Sequence, residues 1–470
     1  MTEDVSIASV SATKAQREQA QQIIADYIAK NIPNGIADVS KMDKVAAYVA
    51  SFTYDKSNSD PYLMVLNGSG SDYASAKLAV YMLGEVGLTA KTRYAYSENE
   101  EIPMKTATSM ATTAVRLGDG SVYLLYIGGD VLGQKTFISQ KLNSRFLYKE
   151  ISKNKYAVYS WIQFDDEVKG YDKATKTVMN IPGYIDGHKI EVIAAEFTRG
   201  CIGISKVTIP NTVTEIKRGA FVYTKRIQSI SISSSVKTIA ADVFSGNNCL
   251  KFTVDSNNKY FQAINGDLYS KDGKTLVSAT GSSMTKIPSF VEVIGDDAFC
   301  GNDHIVDITI PATVKKISYA AFASCDNLRN VIIEGNGLTT VESRAFQTTK
   351  LISLNIPSSV TSFSYDAFNW AEIILVICPD GEISQKLTGS DEIQHLLFDT
   401  SGTLTGRTFT KKPTCESDGE LKVNFSTGSS KTYTIPKSNL YHDYKVDAIK
   451  SETCTNDGCI TCLLYTSPSP

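Results

Sequence analysis

Cysteine and histidine are missing from the first part of the chain, because the first cysteine is Cys201 and the first histidine is His188. The whole chain has 470 residues with nine cysteines and four histidines. A cysteine nucleophile needs a thiolate and a base, usually an imidazole, to accept its proton. These absences exclude catalysis by a Cys–His pair within the first 187 residues.

An excess of charge of one sign is also missing. The chain carries 47 basic and 50 acidic residues, which gives a formal net charge of −3. Proteins that bind nucleic acid or anionic membranes usually carry a basic excess, so we expect no nucleic-acid partner. There is also no run of 18 apolar residues, and we therefore expect no membrane span.

The first residues, 1–5, lack the basic and apolar regions of a signal peptide. Either such a peptide lies upstream of this sequence or the protein is not exported. A chain of this length has room for two to four domains and a large buried core.

What the sequence does contain is a repeat, marked by a phenylalanine that recurs at intervals of 24, 23, 55, 23, 24 and 22 residues. Only one interval is irregular, and a regular period of this length indicates a solenoid or a similar array. Most of these residues follow an alanine. The seven positions are Phe197, Phe221, Phe244, Phe299, Phe322, Phe346 and Phe368.

After most of these phenylalanines comes a short apolar stripe, such as Ile305, Ile308 and Ile310. Residues two apart in an extended chain share a face, so the last two members of each stripe point inward together. A proline follows directly in several copies, Pro311 among them, and ends the strand. One unit cannot bury its apolar face alone, whereas stacked units share a continuous core.

The best copy, residues 310–328, reads I-P-A-T-V-K-K-I-S-Y-A-A-F-A-S-C-D-N-L. It resembles the BspA-type leucine-rich repeats found mainly in bacterial surface proteins, and the resemblance covers residues 183–380. The irregular interval contains residues 254–276, which resemble the hairpin insert that such arrays often carry. The resemblance implies a solenoid exposed on a bacterial surface, and it implies no particular ligand.

Residues 1–130 have the pattern of an α+β domain. Helices are expected over residues 14–32, 41–52 and 71–87, with Ala20, Ile23, Ile24, Tyr27 and Ile28 on one side of the first. Strands are expected over residues 89–96, 112–117 and 122–127.

Part of this domain, residues 68–74 (G-S-G-S-D-Y-A) and 86–91 (V-G-L-T-A-K), resembles the transglutaminase-like branch of the cysteine-protease superfamily. Alignment on that pattern places the family's Cys, His and Asp on Gly70, Met110 and Tyr126. All three catalytic groups are therefore missing. We expect a catalytically inactive transglutaminase-like fold kept as a structural or binding module.

Two alternatives to that interpretation stay open. The domain could be an unrelated α+β fold, or a hydrolase that uses the hydroxyl of Ser69 or Ser71. No imidazole lies within the domain to activate either serine.

Residues 131–182 are expected to form a β connection and a solenoid cap, with strands over 146–151 and 156–164 and with His188 on the surface of the cap. The array is expected to end with a buried strand over 373–378, followed by a linker over 381–401 with a short helix over 383–398. Residues 402–461 are expected to form a Thr/Ser-rich β module, in which the phrase T-C-x-x-D-G occurs twice. Residues 462–470 resemble translated adapter sequence and are excluded from fold reasoning.

The cysteines are expected to be buried thiols or a disulfide, not zinc ligands. Cys201, Cys249, Cys300 and Cys325 follow a repeat phenylalanine closely, where a small apolar side chain packs. A C-x-x-C pair at Cys459 and Cys462 ends in the excluded stretch. We expect no metal and no cofactor.

The fold class expected is therefore an α+β, transglutaminase-like N-terminal domain, a leucine-rich-repeat solenoid and a small β-rich C-terminal module. The expected function is non-catalytic binding of a protein or glycan at the cell surface or outside the cell. The alternatives are a hydrolase or transamidase derived from the cysteine-protease superfamily, and a structural wall spacer.

Overall fold

The computed structural model describes residues 11–55, 57–94, 111–129, 135–164, 177–198, 201, 203–224, 227–247, 250–378, 397–399, 404–411, 417–425 and 427–435. The chain divides into two compact units. The first unit contains Met1–Ser282 and Gly295–Asn302, and the second contains Ser283–Ile294 and Asp303–Pro470. Among the described residues, none of the helices combines the length and hydropathy of a membrane span.

Within the described residues four helices open the first unit, and three of them begin at side chains that satisfy free backbone N–H groups. Thr13 and Gln16 form a capping box, Asp60 accepts from two N–H groups ahead of a proline, and Ser71 accepts from the Ala74 N–H. The helices are α1 (Lys14–Asn31), α2 (Asp38–Ala50), α3 (Pro61–Asn67) and α4 (Asp72–Glu85). Of these, α3 is not predicted by the sequence pattern. Ile23, expected on the buried side of α1, is 39% exposed.

The helices cover one face of an antiparallel sheet with the strand order β3-β4-β5-β6. Leu125 and Ile127 point from β5 into the core beneath the helices, while Leu124 and Tyr126 point to the opposite face. That opposite face packs on Leu147 and on other residues that follow the sheet. The fourth strand lies in the stretch predicted as a connection. The strands are β1 (Thr53–Tyr54), β2 (Ser69–Gly70), β3 (Thr89–Tyr94), β4 (Ala111–Arg116), β5 (Val122–Gly129) and β6 (Lys135–Leu142).

The solenoid turns of the first unit alternate a longer strand with a two-residue strand. The longer strands pair in parallel in the order β16-β14-β12-β9, and a second sheet has the order β15-β13-β11-β8-β7. The strands are β7 (Phe146–Ser152), β8 (Lys155–Trp161), β9 (Thr177–Asn180), β10 (Tyr184–Ile185), β11 (His188–Ile193), β12 (Ile204–Thr208), β13 (Glu215–Ile216), β14 (Ser229–Ile232), β15 (Thr238–Ile239) and β16 (Lys251–Val254).

The irregular interval is occupied by an antiparallel insert, as its resemblance to a hairpin insert predicts. It consists of β17 (Phe261–Ile264), β18 (Asp267–Ser270) and β19 (Thr275–Ser278). β17 pairs with β18, and β18 pairs with β19. The amide of Asn258 holds the start of the insert by donating to the carbonyls of Ser233 and Val236.

The second unit repeats the same alternation and then adds a separate three-stranded antiparallel sheet. Its parallel sheets have the orders β20-β22-β24-β26 and β21-β23-β25-β27-β28, and the antiparallel sheet has the order β29-β30-β31. The strands are β20 (Val293–Ile294), β21 (Asp307–Ile310), β22 (Lys316–Ile317), β23 (Asn330–Ile333), β24 (Thr340–Val341), β25 (Lys350–Asn355), β26 (Ser362–Phe363), β27 (Glu372–Ile377), β28 (Leu397–Asp399), β29 (Leu404–Lys411), β30 (Gly419–Phe425) and β31 (Ser430–Ile435).

Two expectations about the end of the array need correction. β27 matches the buried strand predicted over 373–378, but it is not the last, because β28 pairs with it in parallel. The helix expected over 383–398 falls mostly outside the described residues, and its last two positions belong to β28. The β-rich character expected from residue 402 onward is present in β29–β31.

All seven repeat phenylalanines are buried, each at most 4% exposed. Phe322 stacks on Phe346 and Phe346 on Phe368, with ring centroids 5.3 and 5.5 Å apart. The turn that carries each phenylalanine uses left-handed backbone conformations, often at residues other than glycine. In five turns a residue with positive φ stands two before and two after the phenylalanine; the pairs are Gly219 and Tyr223, Asp242 and Gly246, Asp297 and Gly301, Ala320 and Ser324, and Arg344 and Thr348.

Candidate functional site

The position aligned with the catalytic cysteine, Gly70, has no room for a side chain. It ends β2 just before α4, and a Cβ atom built there would lie 2.7 Å from Met64 Cγ and 2.9 Å from Met64 Cβ. The second of these atoms is next to the backbone and cannot swing away. A thiol at this position would therefore require movement of α3.

The two serines beside Gly70 do not form a nucleophile–base pair. Ser71 is buried and its Oγ accepts the Ala74 N–H at 3.3 Å as the cap of α4. The carbonyl of Ser69 accepts a hydrogen bond from the Asn58 amide, and the Ser69 hydroxyl donates to the carboxylate of Asp55. Hydrogen bonds, those from Ser57 first, hold the pKa of Asp55 below its usual range, so this carboxylate is a weak base. With no histidine before residue 188, neither hydroxyl has an imidazole from this part of the sequence.

The remaining two family positions do not complete a site. Met110 lies outside the described residues. Tyr126 is 6% exposed and packs with Leu147, Ile162 and Phe164 on the sheet face that points away from α4. Gly70 and Tyr126 are thus separated by the sheet, because Gly70 contacts Met64 in the core on the helix side.

We expect Gly70→Ala to lower the free energy of unfolding by about 1–3 kcal/mol, because an added methyl group overpacks the contact with Met64. Met64→Ala should also destabilise, through the cavity it leaves. In the double variant the two changes should partly compensate, and a double-mutant cycle of urea unfolding measures this. Strictly additive effects on the free energy of unfolding would show that contact with Met64 is not what destabilises Gly70→Ala. Gly84→Ala, in α4 with open space around its Cα, is the control.

The long-strand side of the first unit presents a regular polar surface, which we call the open strand face. Residues that alternate with buried ones align across four strands, Lys206 opposite Val178 and Ser229, and Ser229 opposite Lys251. All are exposed or half-buried. The members are Val178, Asn180, Lys206, Thr208, Ser229, Ser231, Lys251 and Thr253.

Two lysines dominate the charge of the open strand face. Lys206 and Lys251 are two strands apart, about 10 Å between backbones at the usual strand spacing. Lys251 Nζ lies 3.8 Å from Asp267 Oδ1. Ser229 lies between the two lysines, and in the next row along the strands Thr253 donates to Ser231 at 3.0 Å. The face can therefore offer ammonium and hydroxyl donors to an acidic partner.

The short-strand side of the first unit has a different electrostatic character, because its charges pair with one another. Glu215 accepts from Lys217 and from Lys155, the latter at 3.3 Å. These hydrogen bonds, with that from Lys217 the stronger influence, hold the pKa of Glu215 below its usual range. Such self-paired charges have less to offer a partner.

In the second unit part of the long-strand side is covered, while Asp307, Thr309 and Asn330 on the same side stay exposed or half-buried. On β25, Ser353 and Asn355 alternate with the inward-facing Leu354, yet they are only 2% and 3% exposed. Ile352 on the same strand is fully buried. The antiparallel sheet β29–β31 packs there through a cluster that includes Ile377 and the partly buried Ile332. The same side of the repeat is thus exposed in one unit and buried in part in the other.

The described cysteines are free thiols, as expected for packing residues. Cys201, Cys325 and Cys378 are buried, and Cys300 is half-buried. Cys249 and the cysteines from Cys415 onward lie outside the described residues. Within the described residues, no three His, Cys, Asp or Glu side chains converge to hold a metal.

Comparison with known families gives six copies of the BspA type leucine rich repeat region, matched at residues 185–269 and 278–380. The middle of this chain is a leucine-rich-repeat solenoid. No curated protein matches the chain.

Several solved structures resemble the leucine-rich-repeat solenoid. The pneumococcal vaccine antigen PcpA is 14% identical over 55% of this chain and 98% of its own, with a TM-score of 0.30. A leucine-rich repeat protein from Bacteroides ovatus is 19% identical over 55% of this chain and 76% of its own, with a TM-score of 0.32. A leucine rich cell surface protein from Faecalibacterium prausnitzii is 15% identical over 54% of this chain and 97% of its own, with a TM-score of 0.22.

Part of the open strand face can be predicted from the sequence of the leucine-rich-repeat solenoid. Four of its residues lie one position away from an inward-facing member of a predicted stripe, namely Lys206, Thr208, Ser229 and Ser231, whereas the other four are not next to a predicted stripe. Strand alternation therefore predicts that these four point outward. The sequence contains no comparable signal that β29–β31 cover part of this side in the second unit.

Proposed function

We propose that this protein is a non-catalytic interaction protein of the bacterial cell surface and that its open strand face binds an acidic region of a protein partner. The observation that carries this proposal is that the face is a ladder of exposed or half-buried, mostly polar side chains with two lysines in register. Solenoids offer extended surfaces of this kind to their partners. None of its eight residues is aromatic, so the face lacks the flat apolar rings on which sugars stack, and a protein ligand is favoured over a glycan.

The N-terminal domain fits this proposal as a degenerate transglutaminase-like module without catalytic activity. Support comes from α4, which begins directly after Gly70 and is followed by an antiparallel sheet, and from the lack of space for a thiol at Gly70. Peptidase or transamidase turnover by the full chain, abolished by Ser69→Ala or Ser71→Ala, would overturn this part of the proposal.

We expect Lys206→Glu/Lys251→Glu to weaken partner binding at least about tenfold, because it replaces two attractive charges by two repulsive ones. The full chain is immobilised and exposed to surface-protein extracts from neighbouring bacteria and host cells, and retained proteins are quantified at low and high salt. Retention by the wild type should fall as salt rises, since exposed charges are screened.

Lys237→Glu/Lys259→Glu is the matched control, since it changes the charge equally at two exposed lysines outside the open strand face. A protein retained by the wild type and the control but lost from the open-face variant supports the proposal. Equal retention by all three places binding elsewhere. The absence of any saturable binding favours the structural spacer.

A further inference from the structure

The turns that carry the repeat phenylalanines of the second unit have aromatic side chains on their outer surface. Tyr365 is 78% exposed, the largest exposed fraction of any large apolar side chain in the described residues, and Trp370 on the same turn is 63% exposed. Grouped exposed apolar side chains, unlike scattered ones, mark sites of interaction. We call this surface the aromatic turn edge; its members are Tyr319, Ser343, Arg344, Tyr365 and Trp370.

The two tyrosines belong to one row that runs from turn to turn. β22, β24 and β26 pair in register, and Tyr319, Ser343 and Tyr365 each follow their strand by two residues. The backbones of Tyr319 and Tyr365 are therefore about 10 Å apart at the usual strand spacing. The stacked rings of the buried phenylalanines in the same three turns are 5.3 and 5.5 Å apart, which agrees with this distance. In an extended polysaccharide every second sugar recurs at about the same distance, so alternate sugars can stack on the two tyrosines.

Between the two tyrosines lie groups that donate and groups that accept hydrogen bonds. Arg344 is exposed, and its Nη1 donates to the Tyr319 hydroxyl at 3.0 Å, which leaves other N–H groups of the guanidinium for a ligand. Ser343 Oγ donates to Asp366 at 2.7 Å and can accept from a ligand. Sugar hydroxyls both donate and accept, so they match this mixture. A proline-rich peptide also docks on aromatic rings, but its prolines have no N–H to donate to Ser343.

The charges around the aromatic turn edge balance one another. Lys316 Nζ lies 2.8 Å from Glu342 Oε1, and the positive charge of Arg344 acts on the half-buried carboxylate of Asp366. These two pairs leave no excess of one sign, so the surface suits a neutral glycan better than an anionic polysaccharide or an acidic peptide. The open strand face differs in this respect, because its lysines favour an acidic partner.

Trp370 occupies a backbone position that does not favour a bulky side chain. Its φ is 53°, in the left-handed region, where a bulky residue is strained. The preceding turns of the second unit have the smaller Ser324 and Thr348 at this position, also with positive φ. A tryptophan here strains the backbone and exposes its ring at the same time. Strain of this kind is typical of positions that hold a ligand.

We propose that the aromatic turn edge binds a neutral glycan. Alternate sugars stack on Tyr319 and Tyr365, and Trp370 holds a further sugar at the same turn. Arg344 donates to sugar hydroxyls, and Ser343 accepts from them. The site is independent of the open strand face, so it would work whether or not that face binds a protein partner.

The test is isothermal titration calorimetry on the full chain. The probes are neutral hexasaccharides of glucose, mannose and N-acetylglucosamine, an anionic hexasaccharide of a uronic acid, and a proline decamer. Saturable binding of at least one neutral hexasaccharide is expected. Tyr365→Ala should lower the affinity for that sugar at least about tenfold, since central aromatic side chains carry much of a binding free energy. Tyr223→Ala removes a ring that is 67% exposed on a turn of the first unit and should change the affinity less than twofold.

Tryptophan fluorescence gives a second readout, because the chain has only two tryptophans and the other, Trp161, lies in the first unit. Binding of the sugar should shift the emission of the wild type. Trp370→Phe keeps an aromatic ring, so it should retain binding in calorimetry and lose the shift.

Two further measurements separate this proposal from the one for the open strand face. Added salt should leave the affinity for the sugar unchanged, because the surface carries no net charge to be screened. Lys206→Glu/Lys251→Glu should bind the sugar as the wild type does. The proposal is overturned if no neutral hexasaccharide binds saturably, if Tyr365→Ala binds as well as wild type, or if the uronic acid hexasaccharide or the proline decamer binds more tightly than every neutral sugar.

Discussion

Replacing Phe322 by alanine is expected to lower the free energy of unfolding of the second unit by about 3–5 kcal/mol. The side chain is fully buried and stacks on Phe346 with the two rings nearly parallel. Its own backbone N–H donates to the Ala345 carbonyl at 2.8 Å. The loss therefore combines the transfer of a large aromatic side chain with a cavity between two turns that cannot close up.

The measurement is urea unfolding followed by circular dichroism, with Tyr365→Ala as the control in the same unit. Tyr365 is 78% exposed, so removal of its ring should change the free energy of unfolding by less than about 0.5 kcal/mol. Similar effects of the two substitutions would show that the repeat phenylalanines do not form the shared core.

Asp297→Asn is expected to stabilise the first unit by about 1–3 kcal/mol at pH 8 and to have little effect at pH 4. In the folded chain burial first, and then the charges of Asp242 and Asp296, raise the pKa of Asp297 from its ordinary value of 3.8 to about 6. Between these values the folded state binds more protons than the unfolded state, so stability falls as the pH rises. Two pKa units correspond to about 3 kcal/mol as the largest effect.

Asparagine preserves the local geometry at this position. It tolerates the left-handed conformation of residue 297, where φ is 54°, and its amide oxygen can keep the hydrogen bond from the backbone of Asp242. Thermal unfolding of wild type, Asp297→Asn and Asp296→Asn at both pH values measures the effect. A less stable Asp297→Asn at pH 8 would mean that the carboxylate is compensated in the fold.

The parts of the fold that the sequence predicts well are those set by local burial. The spacing of Phe322 and Phe346 and the stripe at Ile305, Ile308 and Ile310 follow from a repeated need to face the same core, and all of these residues are buried. The helix capped by Ser71 starts within one residue of its predicted start and ends two residues before its predicted end, since the cap and the apolar positions agree.

The parts that the sequence does not predict depend on contacts between distant segments. The packing of β29–β31 on Ile332 requires a module that begins more than 70 residues further along the chain. α3 is a different case, because Asp60 followed by Pro61 is a readable start, but seven residues are too few to show a helical period.

The paired left-handed residues of the turns restrict how the length of this protein can vary through evolution. A deletion or insertion of one residue between Asp242 and Gly246 would change the spacing between the two left-handed residues. Phe244, which lies between them, would then no longer point into the core. We therefore expect extra residues to be accommodated where the backbone has no such double constraint. The one long addition, 31 residues more than the regular spacing of 24, indeed enters after β16, at the end of a long strand.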